Sequence, residues 1–334
     1  MREIGSEFMM DSCKKGKNEY CNLSDCSKRY VLSGRTGLYL IAQELEHQNI
    51  KTISLPAYCC GAMVAPFTDA HFKVSFYEMN EVPTSGAILV MDYFGFLKEE
   101  TAVFAQECQD AGLKVIIDAT QTAFSRSKAY ECADYMVVSY RKWLDCLCAA
   151  VYSRSGFIIS EYTKENDSYV ATWREAAQKK REYLETGIGD KQEFLNLYAK
   201  ANHMLSEDYI GYKATDCEVV QFESSDSAYI RERRRLNARV LQEGLSGKVD
   251  LMFNELGEED CPLHVPVAMA TELRAATRKA LIQYAIYCPC HWPVDTKYPY
   301  KRTRFHDEEI SLICDQRYTR EDMAREVEKI LRVI

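Results

Sequence analysis

The stretch VVSYRKWLDC, residues 137–146, ends an apolar strand-like run at Ser139 and then places Lys142 beside Trp143. A lysine at a strand end can simply reach back to water along its methylene stem. A lysine held in a cleft can instead form a Schiff base with a carbonyl. Two other stretches bear on the choice. Asp118 ends the apolar run LKVIID and is followed by ATQTAFS. Such a carboxylate can cap the next turn, or it can pair with a protonated ring nitrogen. SGRTG, residues 33–37, opens a helix, so its backbone N–H groups and the helix dipole can hold a phosphate, with hydroxyls from Ser33 and Thr36. Alone it also reads as a plain capped turn, because it has the spacing of neither the P-loop nor the dinucleotide fingerprint.

In chain order these are an anion cup, an acid, then Ser-x-x-Lys. They are the parts needed to hold pyridoxal phosphate: the cup takes the phosphate, the acid keeps the pyridine protonated and the lysine bonds the aldehyde. The joint order is far more specific than any single part.

The surrounding pattern supplies elements to position them. Residues 37–48 form an amphipathic pattern with Leu38, Ile41, Ala42 and Leu45 on one face. Strand patterns follow at 51–56, 72–79, 87–96, 113–118, 134–139 and 148–153, separated by helical patterns at 60–70 and 99–112. Continuous apolar strands alternating with helices predict an α/β fold with a mostly parallel sheet covered on both faces. In such a sheet, ligands bind at the carboxyl ends of the strands. Residues 161–210 are polar and helix-favouring, and 227–245 is a strong helix whose RERRR run reads as a solvated face. The expected organisation is a polar, irregular segment 1–30, a large domain 31–245 and a smaller α+β domain 246–334. The last helix should start near Thr319.

Composition sets the limits. The chain has 334 residues, 47% hydrophobic and 28% charged, which is an ordinary globular balance. A net charge of −8 gives no general reason to bind nucleic acid or an anionic membrane. No stretch is apolar enough to span a bilayer, and the N-terminus lacks the apolar core of a signal peptide, so the expected location is cytoplasmic. The 14 cysteines are scattered without C-x-x-C pairs and read as buried thiols; Cys13, Cys21 and Cys26 are a weak candidate metal set, and no metal is expected.

The sequence resembles the DegT/StrS-type sugar aminotransferases of fold type I. Within them it is similar to a shorter subset through Met1 to Phe8, Gly34-Arg35-Thr36, Pro56-Ala57-Tyr58-Cys59-Cys60, Asp92-Tyr93-Phe94-Gly95, Ser139 to Trp143, Tyr287 to Pro293 and Cys314 to Tyr318. The resemblance covers nearly the whole chain and makes the start, including GSEF, native. It implies that Lys142 is the Schiff-base lysine and that Asp118 pairs with the pyridine nitrogen. It places Gln121 near the ring oxygen, and Arg35, Thr36 and Gly37 with Ser139 in the phosphate cup. The aromatic stacking position holds Cys60, with Tyr58 two residues before it. The usual Gly-Gly stretch after the lysine is replaced by Leu144 to Ala150.

Two late residues are candidate substrate contacts. His291, in HWP, faces the cleft or packs in a turn. Arg317, in CDQRY, clamps a carboxylate or makes a structural pair. The basic stretch 297–304 reads as an exposed loop. The resemblance implies transfer of an amino group from a donor such as glutamate to a keto sugar nucleotide or related keto acceptor, by a homodimer with contacts near 161–210. The rivals are a pyridoxal phosphate-dependent lyase or aldol-type enzyme, and a non-catalytic relative.

Overall fold

The computed structural model describes residues 3–10, 12–20, 26–78, 81–292, 294, 296–298 and 302–334. The chain enters through a two-residue strand β1 (Ile4–Gly5), an edge strand β2 (Ser27–Val31) and helix α1 (Gly34–His47). There follow β3 (Thr52–Pro56), α2 (Gly61–Asp69), β4 (Lys73–Tyr77), β5 (Ala87–Val90), α3 (Glu99–Asp110), β6 (Lys114–Asp118), β7 (Tyr135–Ser139) and β8 (Ala149–Ser153). The central sheet has seven strands in the order β2-β8-β7-β6-β5-β3-β4. Strands β3 to β7 run parallel, and β8 is antiparallel to both β7 and β2.

Both sheet faces are covered, which is why its strands read as unbroken apolar runs. Ala87 and Leu89 turn to the side packed by Leu38, Ile41 and Leu45 of α1 and Met63, Val64 and Phe67 of α2. Ile88 and Val90 turn to the side packed by Phe104, Ala105 and Cys108 of α3.

Two long helices, α4 (Asp167–Thr186) and α5 (Lys191–Glu207), form a hairpin over a cluster centred on Tyr169, Trp173, Phe194 and Tyr198. Asn166 and Asp190 cap their N-termini, and Gly187 closes α4 in the left-handed conformation, φ 71°. Then come α6 (Asp216–Glu223) and α7 (Ser227–Leu245). The remainder comprises β9 (Asp250–Leu251), β10 (His264–Ala268), α8 (Thr271–Gln283), β11 (Ile286–Tyr287), α9 (Arg304–Glu308), β12 (Glu309–Ile313) and α10 (Arg320–Val333). Thr319 caps the last helix in a box with Asp322.

The polar segment 1–30 is built into both halves. β2 extends the central sheet through Ser27–Ser153 to Val31–Ala149 pairing. Ile4 and Gly5 pair with Ile286 and Tyr287, and Ile4 lies in the same core as Leu241, Val267, Leu281 and Ile310. That core also takes Ala238 and Leu245 from α7, so the second half of α7 packs with the C-terminal unit. The RERRR run is not a free solvated face. Arg234 is 1% exposed and donates to the carbonyls of Pro262 and Leu263, while Arg231 and Arg235 donate to carbonyls in residues 257–260. A turn-rich stretch leaves those carbonyls without ladder partners, and guanidinium groups satisfy them. Among the described residues no helix is long and apolar enough to cross a membrane, and the described cysteines are free thiols. No described group of three or more candidate ligands could hold a metal; Cys21 lies outside the described residues.

Glu326 of α10 sits inside the C-terminal core at 0% exposure. Its Oε1 accepts from Ile313 N at 3.1 Å, and its Oε2 has no hydrogen-bond partner among the described residues. Burial pushes its pKa from 4.5 up to about 8, against the opposing hydrogen bonds of Ile313 and Cys288. Between those values the unfolded chain has released a proton that the native protein keeps. Stability should therefore fall as pH rises from about 5 to 8. Glu326→Gln is expected to flatten this slope in denaturant midpoints measured across that range. A wild-type profile already flat there would contradict the buried, protonated acid.

Candidate active site

Asp118 is the last residue of β6, and Ser139 is the last of β7; the register pairs Asp118 with Val137. The two loops that follow therefore leave the same edge of the sheet side by side. After Asp118 the chain turns through Thr120 and Gln121. After Ser139 one short 3-10 turn, Tyr140–Lys142, delivers the lysine. Trp143, fully buried, donates from Nε1 to Thr120 O at 2.7 Å and ties the lysine loop to the Asp118 loop. Both open into a cavity of about 510 Å³.

One wall of the cavity is the N-terminus of α1. Ser33 caps it, accepting from Thr36 N at 3.1 Å. Gly34 and Arg35 begin the helix, so their N–H groups have no intrahelical acceptor, and both residues line the cavity. A Cβ at Gly34 would lie 3.1 Å from Ser139 Cβ, so glycine lets the helix end close on the serine. The Arg35 guanidinium donates from Nη1 to Leu205 O at 3.2 Å, while its buried Nε has no hydrogen-bond partner among the described residues. These features make an anion cup from Ser33, Gly34, Arg35 and Ser139.

Thr36 and Gly37, expected in this cup, stand behind it. The Thr36 hydroxyl donates to Tyr209 O at 2.7 Å and the residue is 0% exposed. A Cβ at Gly37 would lie 2.9 Å from methyls of Val137 and Val151, so that glycine admits α1 to the sheet. The helix starts a turn before its apolar stripe, and this moves the free N–H groups back to Gly34 and Arg35.

Asp118 is 4% exposed, and its Oδ1 accepts from Thr120 N at 2.8 Å. Burial raises its pKa, with the Thr120 bonds opposing. No cation of the chain is hydrogen-bonded or ion-paired to it among the described residues, so the site is suited to a cationic N–H from a ligand. Gln121 lines the cavity and accepts from Phe94 N at 2.5 Å through Oε1, which leaves its amide as a donor. Lys142 lines the cavity and is solvent-exposed. Enclosure by protein pushes its pKa down, and the charges of Arg141 and Arg35 push the same way, against Glu7 and Cys60. A lysine of this kind holds a larger neutral fraction at a given pH and is a better nucleophile.

Of the two stacking candidates, Cys60 lines the cavity and Tyr58 does not. Tyr58 is 4% exposed, donates to His291 O, and packs at 5.0–5.3 Å against Trp292, Phe305 and Tyr93. The loop replacing the Gly-Gly stretch is fully packed: Cys146, Leu147 and Cys148 are each 1% exposed. Arg174 bridges Asp145 and Glu218, and Glu218 accepts Leu147 N at 2.6 Å.

His291 lines the cavity. Its Nδ1 lies 3.0 Å from Ser311 Oγ, and its N–H donates to the buried Glu309 carboxylate at 2.5 Å. His264, absent from the sequence reading, also lines the cavity 5.3 Å from the His291 ring; a lone histidine inside LHVPVAM carries no signal of its own. Arg317 reaches the cavity, but Asp315 already holds its fork at 2.7 and 2.9 Å. Pro293 of the HWP motif lies outside the described residues, as do 299–301 of the basic stretch; Arg302 and Arg304 there pair with Asp307, Glu308 and Asp250.

No protein-family model matches this sequence, and no curated protein matches it in sequence. Solved structures match it in shape. The aminotransferase TlmJ from Streptoalloteichus hindustanus aligns with a TM-score of 0.66 at 14% identity, over 92% of this chain and 85% of that one. The aminotransferase PseC from Helicobacter pylori, involved in biosynthesis of pseudoaminic acid, aligns with a TM-score of 0.65 at 12% identity, over 98% and 99%. The chain has the fold of these aminotransferases. NtdA from Bacillus subtilis, solved with bound pyridoxamine phosphate, shares it as well, with a TM-score of 0.63 at 15% identity over 96% and 78%.

A second support for the lysine loop comes from the C-terminal unit. Gln316 donates to Trp143 O at 2.7 Å and accepts from Arg234 Nε at 2.7 Å, and that guanidinium lies 4.4 Å from the centre of the Trp143 ring. Gln316→Leu strands a buried carbonyl and a buried guanidinium N–H. It is expected to cost about 1–3 kcal/mol in denaturant unfolding. An unchanged midpoint would mean that the lysine loop does not lean on this bond.

Proposed function

We propose that the protein is a pyridoxal phosphate-dependent aminotransferase. The observation that carries this reading is that one cavity joins an anion cup, a buried acid with no internal counter-charge and a lysine of lowered pKa. The residues fit the group. Gly34, Arg35 and Ser139 would hold its phosphate, Asp118 its protonated ring nitrogen, Gln121 its ring oxygen and Lys142 its aldehyde. When bound, this cofactor supplies an electron sink for the pair left when a proton departs from the substrate carbon.

The chain's own residues do the rest. The α1 N-terminus fixes one end of the ligand, and Asp118 keeps a proton at the far end because an ionised, buried carboxylate gains a counter-charge by doing so. Lys142, once displaced by an incoming amine, is a neutral base aimed into the cavity. Its amine would take a proton from the substrate carbon and give it back, acting as base and then as acid. A keto acceptor reverses the sequence, giving ping-pong exchange.

The donor is read as an amino acid such as glutamate and the acceptor as a keto sugar nucleotide or related keto compound. Similarity of fold to PseC, an aminotransferase involved in the biosynthesis of pseudoaminic acid, supports the acceptor. A homodimer with contacts on the α4–α5 hairpin accords with the exposed Leu184, Ile188 and Leu195 there, and a cytoplasmic location with the absence of a spanning helix among the described residues.

The test is the visible absorbance of the protein with added pyridoxal phosphate, before and after a panel of amino donors. The expected result is a band lost in Lys142→Ala and bleached by one donor, with turnover of that variant down by about 10²–10⁴. A band that answers no donor would point to lyase or aldol chemistry on the same scaffold. Correctly folded protein that forms no band would leave a non-catalytic relative.

A further inference from the structure

The cavity holds a carboxylate that the reading above does not use. Glu7 lies on the N-terminal strap, which is anchored from several sides. β1 pairs with β11, and Gly5 N donates to Tyr318 Oη at 2.8 Å. Arg317 donates to Ser6 O and Glu7 O, both at 3.1 Å, Lys180 Nζ donates to Glu7 O, and Tyr198 Oη donates to Phe8 O at 3.0 Å. Two successive residues are left-handed, Gly5 at φ 92° and Ser6 at φ 66°. A Cβ at Gly5 would lie 2.4 Å from Tyr287 O, so only glycine allows this turn. The turn brings Ser6, Glu7 and Phe8 to the cavity wall.

The strap is fixed by these backbone bonds and by the buried side chains of Ile4 and Phe8, the latter under the Arg317 guanidinium at 4.1 Å. The Glu7 carboxylate has no hydrogen-bond or ion-pair partner among the described residues. It shares the cavity with Lys142 and its charge acts on that amine. The other carboxylates there are committed: Asp315 holds Arg317, and Asp118 lies at the sheet edge under Thr120. Around Lys142 stand Arg141, Arg35, Cys60 and His264; around Glu7 stand Lys180 and Arg317.

We infer that Glu7 is a catalytic carboxylate that takes the ammonium proton of the amino donor beside Lys142. This rests on the aminotransferase reading. An amino donor arrives as an ammonium ion, which is not a nucleophile. One N–H bond of the donor breaks and an O–H bond forms on Glu7, giving a neutral amine and a protonated Glu7. The amine displaces Lys142, which leaves neutral and free to take the proton of the substrate carbon. Glu7 then passes that proton to solvent, and the acceptor half takes one up as it runs these steps in reverse. Protons balance over the two halves.

The test compares wild type, Glu7→Gln and Glu7→Asp, matched for thermal midpoint and circular dichroism. Two readouts are taken. One is the rate of cofactor bleaching by the donor across pH. The other, in cofactor-free protein, is the pH midpoint for labelling of Lys142 by trinitrobenzenesulfonate. Expected for Glu7→Gln is a bleaching rate about 10²-fold lower at neutral pH, recovering as pH rises and the donor deprotonates in solution. Its Lys142 labelling midpoint should move to lower pH, since a carboxylate that favours the ammonium form is gone. Glu7→Asp should recover part of both. If Glu7→Gln forms the cofactor band, bleaches at the wild-type rate and labels at the wild-type midpoint, the role of Glu7 is refuted while the aminotransferase reading stands. If wild type forms no band, that reading fails first.

Discussion

The site depends on one pairing, the parallel register of residues 116–118 with residues 135–137. It ends two adjacent strands at the same sheet edge, one on Asp118 and the other on Ser139. A slip of one residue would turn Asp118 to the other face. The register is secured by burial on both sides: Val115, Ile117 and Val138 face one core, and Ile116, Tyr135 and Val137 face the other. Given that register, one 3-10 turn and the Trp143–Thr120 bond suffice to bring Lys142 over the loop after Asp118.

Electrostatics then gives the cleft its chemistry. Arg35, Arg141, Lys142, Arg234, Arg278 and Arg317 all reach it, against the carboxylates of Glu7, Asp118 and Asp315. An excess of fixed positive charge in an enclosed space favours anionic ligands and disfavours the ammonium form of Lys142. Asp118 is the counterpart, an acid whose burial makes a positive ligand group welcome. Neither property comes from a single residue; both follow from enclosing the groups in one cavity.

Much of this was legible in the sequence. Apolar runs alternating with helical patterns mark a covered parallel sheet because both faces of β5 to β7 are buried. Asp118 and Lys142 stand out because each follows such a run directly. What was hidden has physical reasons. β2, SKRYV, is an edge strand, half-buried over most of its length, and reads as polar. β1 has two residues, too few for any period. The apolar stripe of α1 marks a start near residue 37, but Ser33 caps the helix earlier, so Gly34 and Arg35 carry the open N–H groups in place of Thr36 and Gly37. Tyr58 belongs to an aromatic cluster assembled from residues 93, 292 and 305, which no local pattern shows. Glu7, His264 and Gln316 gain their places only through the fold.

The most direct test of the account is to ask which lysine meets the aldehyde. The protein would be incubated with pyridoxal phosphate, reduced with borohydride and mapped by peptide mass spectrometry, with and without competing inorganic phosphate. The account predicts a single adduct, on Lys142, that excess phosphate suppresses by occupying the cup at Gly34, Arg35 and Ser139. Adducts spread over surface lysines and indifferent to phosphate, with Lys142 unmodified, would contradict it.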